Sequence, residues 1–204
     1  MKNNGLLVQY FNANTPADQT LWAKAVKDAA TLKKLGATAV WFPPATKGAA
    51  GKDDRGYAPY DLYDLGEFNQ KGSVGTRYGT KKEYLEAIDA MKAQGINVYA
   101  DIAVRQKLGA DSVEKVTAAD FNAKDIPQMI GNKKIVGALS KFTFPGRKSK
   151  YSKFKWNWNH FAGIDWQQDD FKRRVCELSG MTEMEAEKKY KLSKYDYIIG
   201  SELD

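Results

Sequence analysis

Residues 36–44 read GATAVWFPP, and this stretch decides the class of fold. Its middle, residues 38–42, is a short and continuous apolar run that two prolines stop. A proline cannot donate to a strand ladder, so a strand here must end before residue 43. A continuous apolar run suits a strand that is covered on both faces, as strands of a parallel sheet are. The stretch therefore predicts a buried parallel strand.

Two further strands and two helices are predicted on either side of it. Residues 5–11 (GLLVQYF) and 96–104 (INVYADIAV) predict buried strands, the second containing the acid Asp101. Apolar residues at helical spacing fill the intervals between the three strands. The order strand, helix, strand, helix, strand is that of βαβ units in an α/β fold.

Capping residues mark the ends of both predicted helices. Asp18 or Thr20 can cap the first helix, and Gly36 stands just past its end. Thr80 and Glu83 have the spacing of a capping box, which predicts the start of the second helix.

The pattern changes at about residue 107. The following stretch is rich in aromatic residues, lysine and turn residues, and apolar residues alternate over 142–144 and 154–158. This alternation predicts half-buried strands of a small β-rich domain. A charged stretch that includes Cys176, with a capping box at Thr182 and Glu185, predicts a helical segment. We therefore expect residues 1–106 to form an α/β unit and residues 107–204 to form the small domain, ending in that segment.

Composition narrows the class of protein. With 204 residues, 43% of them hydrophobic, the chain can bury a core. No apolar run reaches the roughly 18 residues of a membrane span, and a lone cysteine excludes an internal disulfide. Met1 leads into the first strand without an apolar leader, so we expect a cytoplasmic location. The net charge of +7 indicates a solvated basic surface.

Eight segments, taken in order along the chain, resemble one family. They are residues 8–11, 39–45, 56–68, 70–72, 78–81, 144–147, 151–156 and 160–161. These segments are similar to the liquefying, bacterial cytoplasmic branch of the α-amylases in glycoside hydrolase family thirteen. The shared order is more specific than any single motif, and the similarity resumes at residues 195–197.

The resemblance implies the N-terminal portion of a (β/α)8 TIM barrel, with three strands and two helices, followed by an inserted small β-rich domain. In the family, the three catalytic carboxylates follow later strands that have no counterpart in these segments. A retaining glycosidase needs two carboxyl groups about 5–5.5 Å apart. The acids of the matching segments, such as Asp61, Asp64 and Asp101, fall on scaffold positions. We therefore assign no catalytic residue and expect this truncated chain to be inactive alone.

Four residues are implied as substrate contacts: Tyr57, Gln9, Tyr60 and Gln106. Tyr57 matches the position that stacks on a glucosyl ring, and aromatic rings suit the apolar face of a sugar. For Tyr60 and Tyr63 we expect packing in the core. Gln106 replaces the histidine of an Asn-His pair in the relatives, and its amide can still donate to a sugar hydroxyl.

Calcium is the cofactor that the resemblance implies, and we expect its binding to be weak or lost. Arg105 stands where relatives have a ligating asparagine, and a guanidinium has no atom that can coordinate a cation. Gln167 likewise replaces an acidic ligand. Asp196, Glu202 and Asp204 remain on acidic ligand positions.

Two functions follow from the resemblance. The first is a hydrolase of α-1,4-glucans, present as a truncated chain or completed by a polypeptide that supplies the rest of the barrel. The alternative is a non-catalytic glucan-binding or regulatory remnant, which the lost Asn-His pair favours. Aromatics and lysines that interleave over residues 141–158 also resemble a nucleic-acid platform. Because the same aromatics are explained as a core, we expect neither a nucleic acid nor a membrane as partner.

Overall fold

The computed structural model describes residues 5–121, 129–161, 163–167 and 172–178. In chain order its main elements are β1 (Leu7–Gln9), α1 (Leu21–Lys34), β2 (Ala39–Phe42), β3 (Lys47–Gly48), β4 (Pro59–Asp61), α2 (Lys81–Ala93), β5 (Asn97–Ala100), β6 (Ser112–Phe121), β7 (Met129–Lys141), β8 (Gly163–Gln167) and β9 (Lys172–Leu178). The chain divides into two compact units, Met1–Ala103 and Val104–Asp204. No helix in the described part of the chain is long and apolar enough to cross a membrane.

A parallel sheet forms the centre of the first unit. Its strand order is β1-β2-β5, and both neighbouring pairs run parallel. Val8, Val40 and Val98 lie side by side in the register. The helix α1 connects β1 to β2, and α2 lies between β2 and β5 in the chain. The βαβ order and the mixed α/β class predicted from the sequence are confirmed.

One face of this sheet carries the hydrophobic core. Val40 and Phe42 are fully buried against both helices, around the central ring of Trp22. Side chains alternate between the faces of a strand, so Leu7, Gln9, Trp41 and Tyr99 belong to the opposite face. The prediction that β1 and β5 are buried is wrong for that face, where Leu7 is 54% exposed and Tyr99 60%. Both strands are also shorter than predicted.

The two helices begin differently. At α2 the predicted capping box is present: the Thr80 hydroxyl accepts from the amide of Glu83, and the Thr80 amide donates to Glu83 Oε2 at 2.8 Å. At α1 the cap residue is Thr20, whose side chain makes no capping bond. Asp18 instead accepts the Thr20 amide at 3.0 Å, so its carboxylate orders the turn before the helix.

Both helices end in the same glycine-based motif. After α1, the amide of Gly36 donates to Lys33 O and the amide of Ala37 donates to Leu32 O, both at 3.0 Å. This pair of bonds is the Schellman motif, which needs a left-handed residue at the first position past the cap. Gly36 meets that need with a φ of +88°, and Gly95 repeats the motif after α2 with a φ of +67°.

The second unit contains a four-stranded antiparallel sheet. Its strand order is β7-β6-β9-β8, and its longest pairing joins β6 to β7. The β-rich character predicted for this half is present, but the strands lie elsewhere. Residues 142–144 and 154–158 form no strand, and their backbones pair in an isolated bridge between Phe142 and Trp156. The alternation of apolar residues did not predict the strands correctly. Irregular loops whose side chains pack into one core can show the same alternation.

The charged stretch that includes Cys176 is also different from the prediction. Residues Lys172–Leu178 form β9, which pairs with β6 and β8, rather than a helix. Pairing with two neighbouring strands overrides the weak helical preference of a short charged segment. The predicted capping box at Thr182 and Glu185 lies outside the described residues.

Buried rings form a core in the second unit. Phe142, Phe144 and Phe161 are buried, and Trp156 stacks on Phe161 with 5.4 Å between the ring centroids. The buried ammonium of Lys107 lies 4.9 Å from the Phe142 ring centroid and 5.3 Å from that of Trp156, a cation–π arrangement. Phe142 and Phe144 therefore belong to a core, as predicted for them, whereas Tyr151 and Phe154 of the same stretch are about half exposed.

Candidate functional site

The carboxyl ends of the parallel strands form the edge at which α/β proteins bind ligands. Gln9 is the last residue of β1, and Asp101 directly follows β5. Because all three strands run parallel, these ends lie at the same edge of the sheet. The segment between β3 and β4 adds Tyr57, which reaches Asp101.

A hydrogen bond joins Tyr57 to the end of β5. The Tyr57 hydroxyl donates to Asp101 Oδ2 at 2.7 Å, across 44 positions of the chain. Burial, together with this bond to a carboxylate, raises the pKa of Tyr57, so the hydroxyl stays protonated and remains a donor. The residue is still 42% exposed. The bond therefore fixes the ring while leaving part of it open to a ligand.

The backbone before Tyr57 is shaped by Gly56. Its φ of +92° is a left-handed conformation, and a Cβ at this position would lie 2.6 Å from Pro44 O. The Gly56 amide donates to Asp54 Oδ1 at 2.7 Å. On the other side of Tyr57, Ala58 O accepts the amide of Ala49 at 2.8 Å, which extends the pairing of β3 with β4. Tyr57 thus stands on a restrained turn.

Gln9 lies on the open face of the sheet. It pairs in register with Trp41 of β2, which in turn pairs with Tyr99 of β5. The side-chain nitrogen Nε2 of Gln9 donates to Phe11 O at 3.0 Å. The Phe11 ring packs edge-on against Trp41, with 5.4 Å between the ring centroids. The sequence reasoning missed Trp41 and Tyr99 as members of this face. The signal was available, since both alternate with valines that belong to the core.

An open cleft of about 610 Å³ lies beyond the end of β1. Its lining is residues 9–16 with Leu21 and Lys24. Asn12 and Asn14 are exposed in it, and Asn12 Oδ1 accepts the amide of Asn14 at 2.8 Å. The cleft therefore presents amides rather than the aromatic that the family resemblance places after Phe11.

The remaining predicted substrate contacts lie elsewhere. Tyr60 is 1% exposed, so no face of its ring is open to a ligand, and a sugar contact there does not fit the structure. Its predicted packing in the core is confirmed. Tyr63 is 51% exposed, so the prediction that it also packs in the core is wrong. Gln106 belongs to the second unit and is half-buried, and its role in binding stays a prediction.

The acids of this region are engaged in holding the fold. Asp61 and Asp64 are fully buried, and both accept from Gln70 Nε2 at 3.0 Å. Asp101 accepts from Tyr57. Because Asp61 and Asp64 are closed to solvent, a sugar in the candidate site would not reach them.

No acid-rich metal site is found among the described residues. They contain no cluster of three or more histidine, cysteine, aspartate or glutamate side chains that could hold a metal ion. Arg105 is exposed and does not fit a ligand position. The predicted ligands Asp196, Glu202 and Asp204 lie outside the described residues, as does the side chain of Gln167.

Comparison with known proteins identifies relatives of this chain. The chain is 46% identical over 202 residues to an α-amylase of Geobacillus stearothermophilus and 43% identical over 201 residues to that of Bacillus licheniformis. It is 37% identical to the cytoplasmic α-amylase of Escherichia coli strain K12. The chain is a homologue of the α-amylases. This α-amylase homologue aligns over 98% of its own length but spans only 37%, 39% and 41% of these three relatives.

The fold of the α-amylase homologue also matches solved structures. An alternansucrase in complex with isomaltononaose superposes on 98% of the chain, and on 15% of its own length, with a TM-score of 0.55 at 20% identity. At this identity the match concerns the fold alone. No family model matches the chain.

Proposed function

We propose that this chain binds α-1,4-glucans at the carboxyl ends of β1, β2 and β5, with Tyr57 as the ring that stacks on a glucosyl unit. The observation that carries the proposal is the Tyr57–Asp101 hydrogen bond, which holds a partly exposed ring at that edge. Homology to proteins described as α-amylases supports the substrate class. The open face beside it, with Gln9, Trp41 and Tyr99, supplies further polar and aromatic surface.

The three parallel strands are, in this proposal, the first strands of a (β/α)8 barrel. Support comes from the parallel order, from the helices that cover only one face, and from the family relationship. In a closed barrel the face opposite the helices becomes the interior. Leu7, Trp41 and Tyr99 would then be interior residues, which accounts for apolar side chains on a face that is exposed here.

Binding would use the rigidity of the Tyr57 ring. The C–H face of a glucosyl unit is apolar, and an aromatic ring can bury it without losing hydrogen bonds. Because Asp101 already fixes the hydroxyl, little conformational freedom remains to be lost when the ligand arrives. Gln9, together with Asn12 and Asn14 in the adjacent cleft, offers amide groups to sugar hydroxyls.

Hydrolysis is assigned to carboxyl groups other than those described. The retaining mechanism needs two of them facing one glycosidic bond. Asp61 and Asp64 are buried, and Asp101 is held by Tyr57. The chain therefore binds without cleaving unless a complementary polypeptide supplies those groups.

A non-catalytic glucan-binding role is the second candidate. The loss of the Asn-His pair favours it, because Arg105 stands where the family resemblance places the calcium-ligating asparagine and Gln106 stands where it places the sugar-contacting histidine. The two candidates differ in one respect: mixing the chain with the remaining part of a related amylase restores hydrolysis only if the barrel strands can still be completed.

Calorimetric titration with maltoheptaose tests the binding proposal. We expect Tyr57→Ala to weaken binding about tenfold, equivalent to roughly 1.4 kcal/mol, because the stacking surface is lost. Tyr57→Phe keeps the ring but frees it from Asp101, so a smaller loss is expected. Tyr63→Ala is the matched control, since Tyr63 is an exposed tyrosine of the same segment. Equal affinities for the Tyr57→Ala protein and the unmodified chain would refute the proposed stacking role.

A further inference from the structure

A lysine side chain is completely enclosed beside the β3–β4 pair. Lys47 is the first residue of β3, and its side chain has no solvent exposure. Buried lysines are rare because the ammonium loses its hydration, and each one needs partners that replace the lost water. What surrounds Lys47 therefore shows what kind of ion this part of the protein accepts.

Backbone oxygens supply most of the coordination. The Lys47 ammonium donates to Ser73 O and Val74 O, both at 2.7 Å, and lies 3.2 Å from Phe68 O and 3.4 Å from Gly75 O. An ammonium carries three protons, so four carbonyl oxygens are more than it can satisfy with one straight bond each. Several carbonyl oxygens converging on one positive centre is the arrangement by which proteins hold a free cation.

Two buried carboxylates add negative charge. Asp64 Oδ2 lies 3.6 Å from the Lys47 ammonium. Asp61 adjoins Asp64 through the amide nitrogen of Gln70, which donates to both at 3.0 Å. The cluster thus sets two negative charges against one positive charge. Burial lowers the pKa of Lys47, and the charges of Asp64 and Asp61 oppose that shift.

The orientation of Gln70 is fixed by the same contacts. Its nitrogen must face the two carboxylates, because its oxygen would be repelled by them. Gln70 Oε1 is consequently left buried, without a hydrogen-bond partner among the described residues. The cluster therefore has a surplus of oxygen acceptors, which is the condition that favours a bound cation.

The converging oxygens come from several parts of the chain. Residues 68–75 provide the carbonyl groups, and Asp61 and Asp64 come from the end of β4 and the turn after it. Asp64 Oδ1 is held by the amides of Gly66 and Glu67 at 2.9 and 3.0 Å. These groups are positioned by backbone hydrogen bonds that do not involve the Lys47 side chain. We therefore expect the oxygen atoms around the ammonium to keep their places when that side chain is shortened.

We propose that residues 61–75 form a binding site for a primary ammonium ion, which Lys47 fills with its own side chain, and that the site takes up a free alkylammonium when that side chain is cut back. The proposal is independent of glucan binding. Lys47→Ala removes three methylene groups and the ammonium, which together have the composition of n-propylammonium. This ion should enter the cavity and restore the missing contacts.

Thermal unfolding of the 204-residue chain tests this. We expect Lys47→Ala to lower the midpoint by about 10 °C, because buried carboxylates lose their counter-ion. Added n-propylammonium chloride should restore at least half of that loss along a saturable curve. Sodium chloride at the same ionic strength and n-propanol at the same concentration should not. In Lys47→Met an uncharged side chain fills the cavity. This protein should therefore be less stable than the unmodified chain, and the amine should not raise its unfolding midpoint.

Three results would overturn the proposal. Restoration by n-propanol equal to that by the amine would reduce the site to an apolar cavity. A Lys47→Met protein as stable as the unmodified chain would show that no cation is needed. If Lys47→Ala does not fold, refolding from urea with n-propylammonium is measured against sodium chloride, and equal folded yields would exclude the site.

Discussion

Tyr10 and Asp28 form a second tyrosine–carboxylate pair, at the end of β1. The Tyr10 hydroxyl donates to Asp28 Oδ2 at 2.6 Å, and the Lys24 ammonium lies 2.9 Å from the same oxygen. The hydrogen bond from Tyr10, followed by that from Lys24, holds the pKa of Asp28 below its usual range. A carboxyl group with a lowered pKa in the folded state stabilises the fold above its unfolded pKa, and this contribution is lost as the pH falls through the lowered value.

Tyr10→Phe should therefore lower the free energy of unfolding by an amount that depends on pH. At pH 7 we expect the free energy of unfolding to fall by at most about 1 kcal/mol, because the carboxylate is partly exposed and its bonds are screened. The difference should begin to shrink below about pH 4, where the carboxyl group of the unfolded chain takes up a proton, and should vanish below the lowered pKa of Asp28 in the folded state. Urea unfolding at several pH values measures it, with Tyr63→Phe as the control. A difference that stays constant down to acid denaturation would contradict this account.

Within single helices and strands, the features that depend on residues close together in the chain could be predicted from the sequence. The features that depend on tertiary contacts could not. The capping box of Thr80 and Glu83 and the glycine ends of both helices were readable, because each depends on residues close together in the chain. The strands of the second unit were not readable. The strand β9 depends on pairing with β6 and β8, and no property of its own residues specifies those partners.

The same contrast applies to the candidate site. Tyr57 could be proposed from a family resemblance, but its bond to Asp101 joins residues 44 positions apart and needed the structure. Tyr60 and Tyr63 look alike in the sequence, yet one is buried and the other exposed. Tyr60 lies within β4 and has the Lys71 ammonium 4.1 Å from its ring centroid, whereas Tyr63 lies on the turn after that strand.

Thr80→Ala tests the capping box of α2. We expect the free energy of unfolding to fall by about 1 kcal/mol, since the alanine cannot accept the amide of Glu83. Thr80→Ser keeps the hydroxyl and should stay within about 0.5 kcal/mol of the unmodified chain. Chemical denaturation of the three proteins gives the comparison. Equal losses for both substitutions would mean that the threonine methyl group, and not the cap, stabilises this turn.

For the molecule as a whole, the arrangement of acids limits the chemistry. The parallel strands provide an edge with a fixed tyrosine, amides and an open cleft, which suits the holding of a sugar chain. Asp61 and Asp64 are buried, accept hydrogen bonds from Gln70 and face no solvent. In the proposed function, recognition and bond cleavage are therefore separable: the described residues would hold the glucan, and cleavage would require the carboxyl groups that the family resemblance places on later strands.

The release of reducing ends from amylose by the purified 204-residue chain tests this claim most directly. We predict no release above that of a buffer control, at protein concentrations where maltoheptaose binding is measurable by calorimetry. Sustained turnover by the chain alone, retained through purification and heat-inactivated together with its fold, would contradict the separation of binding from cleavage.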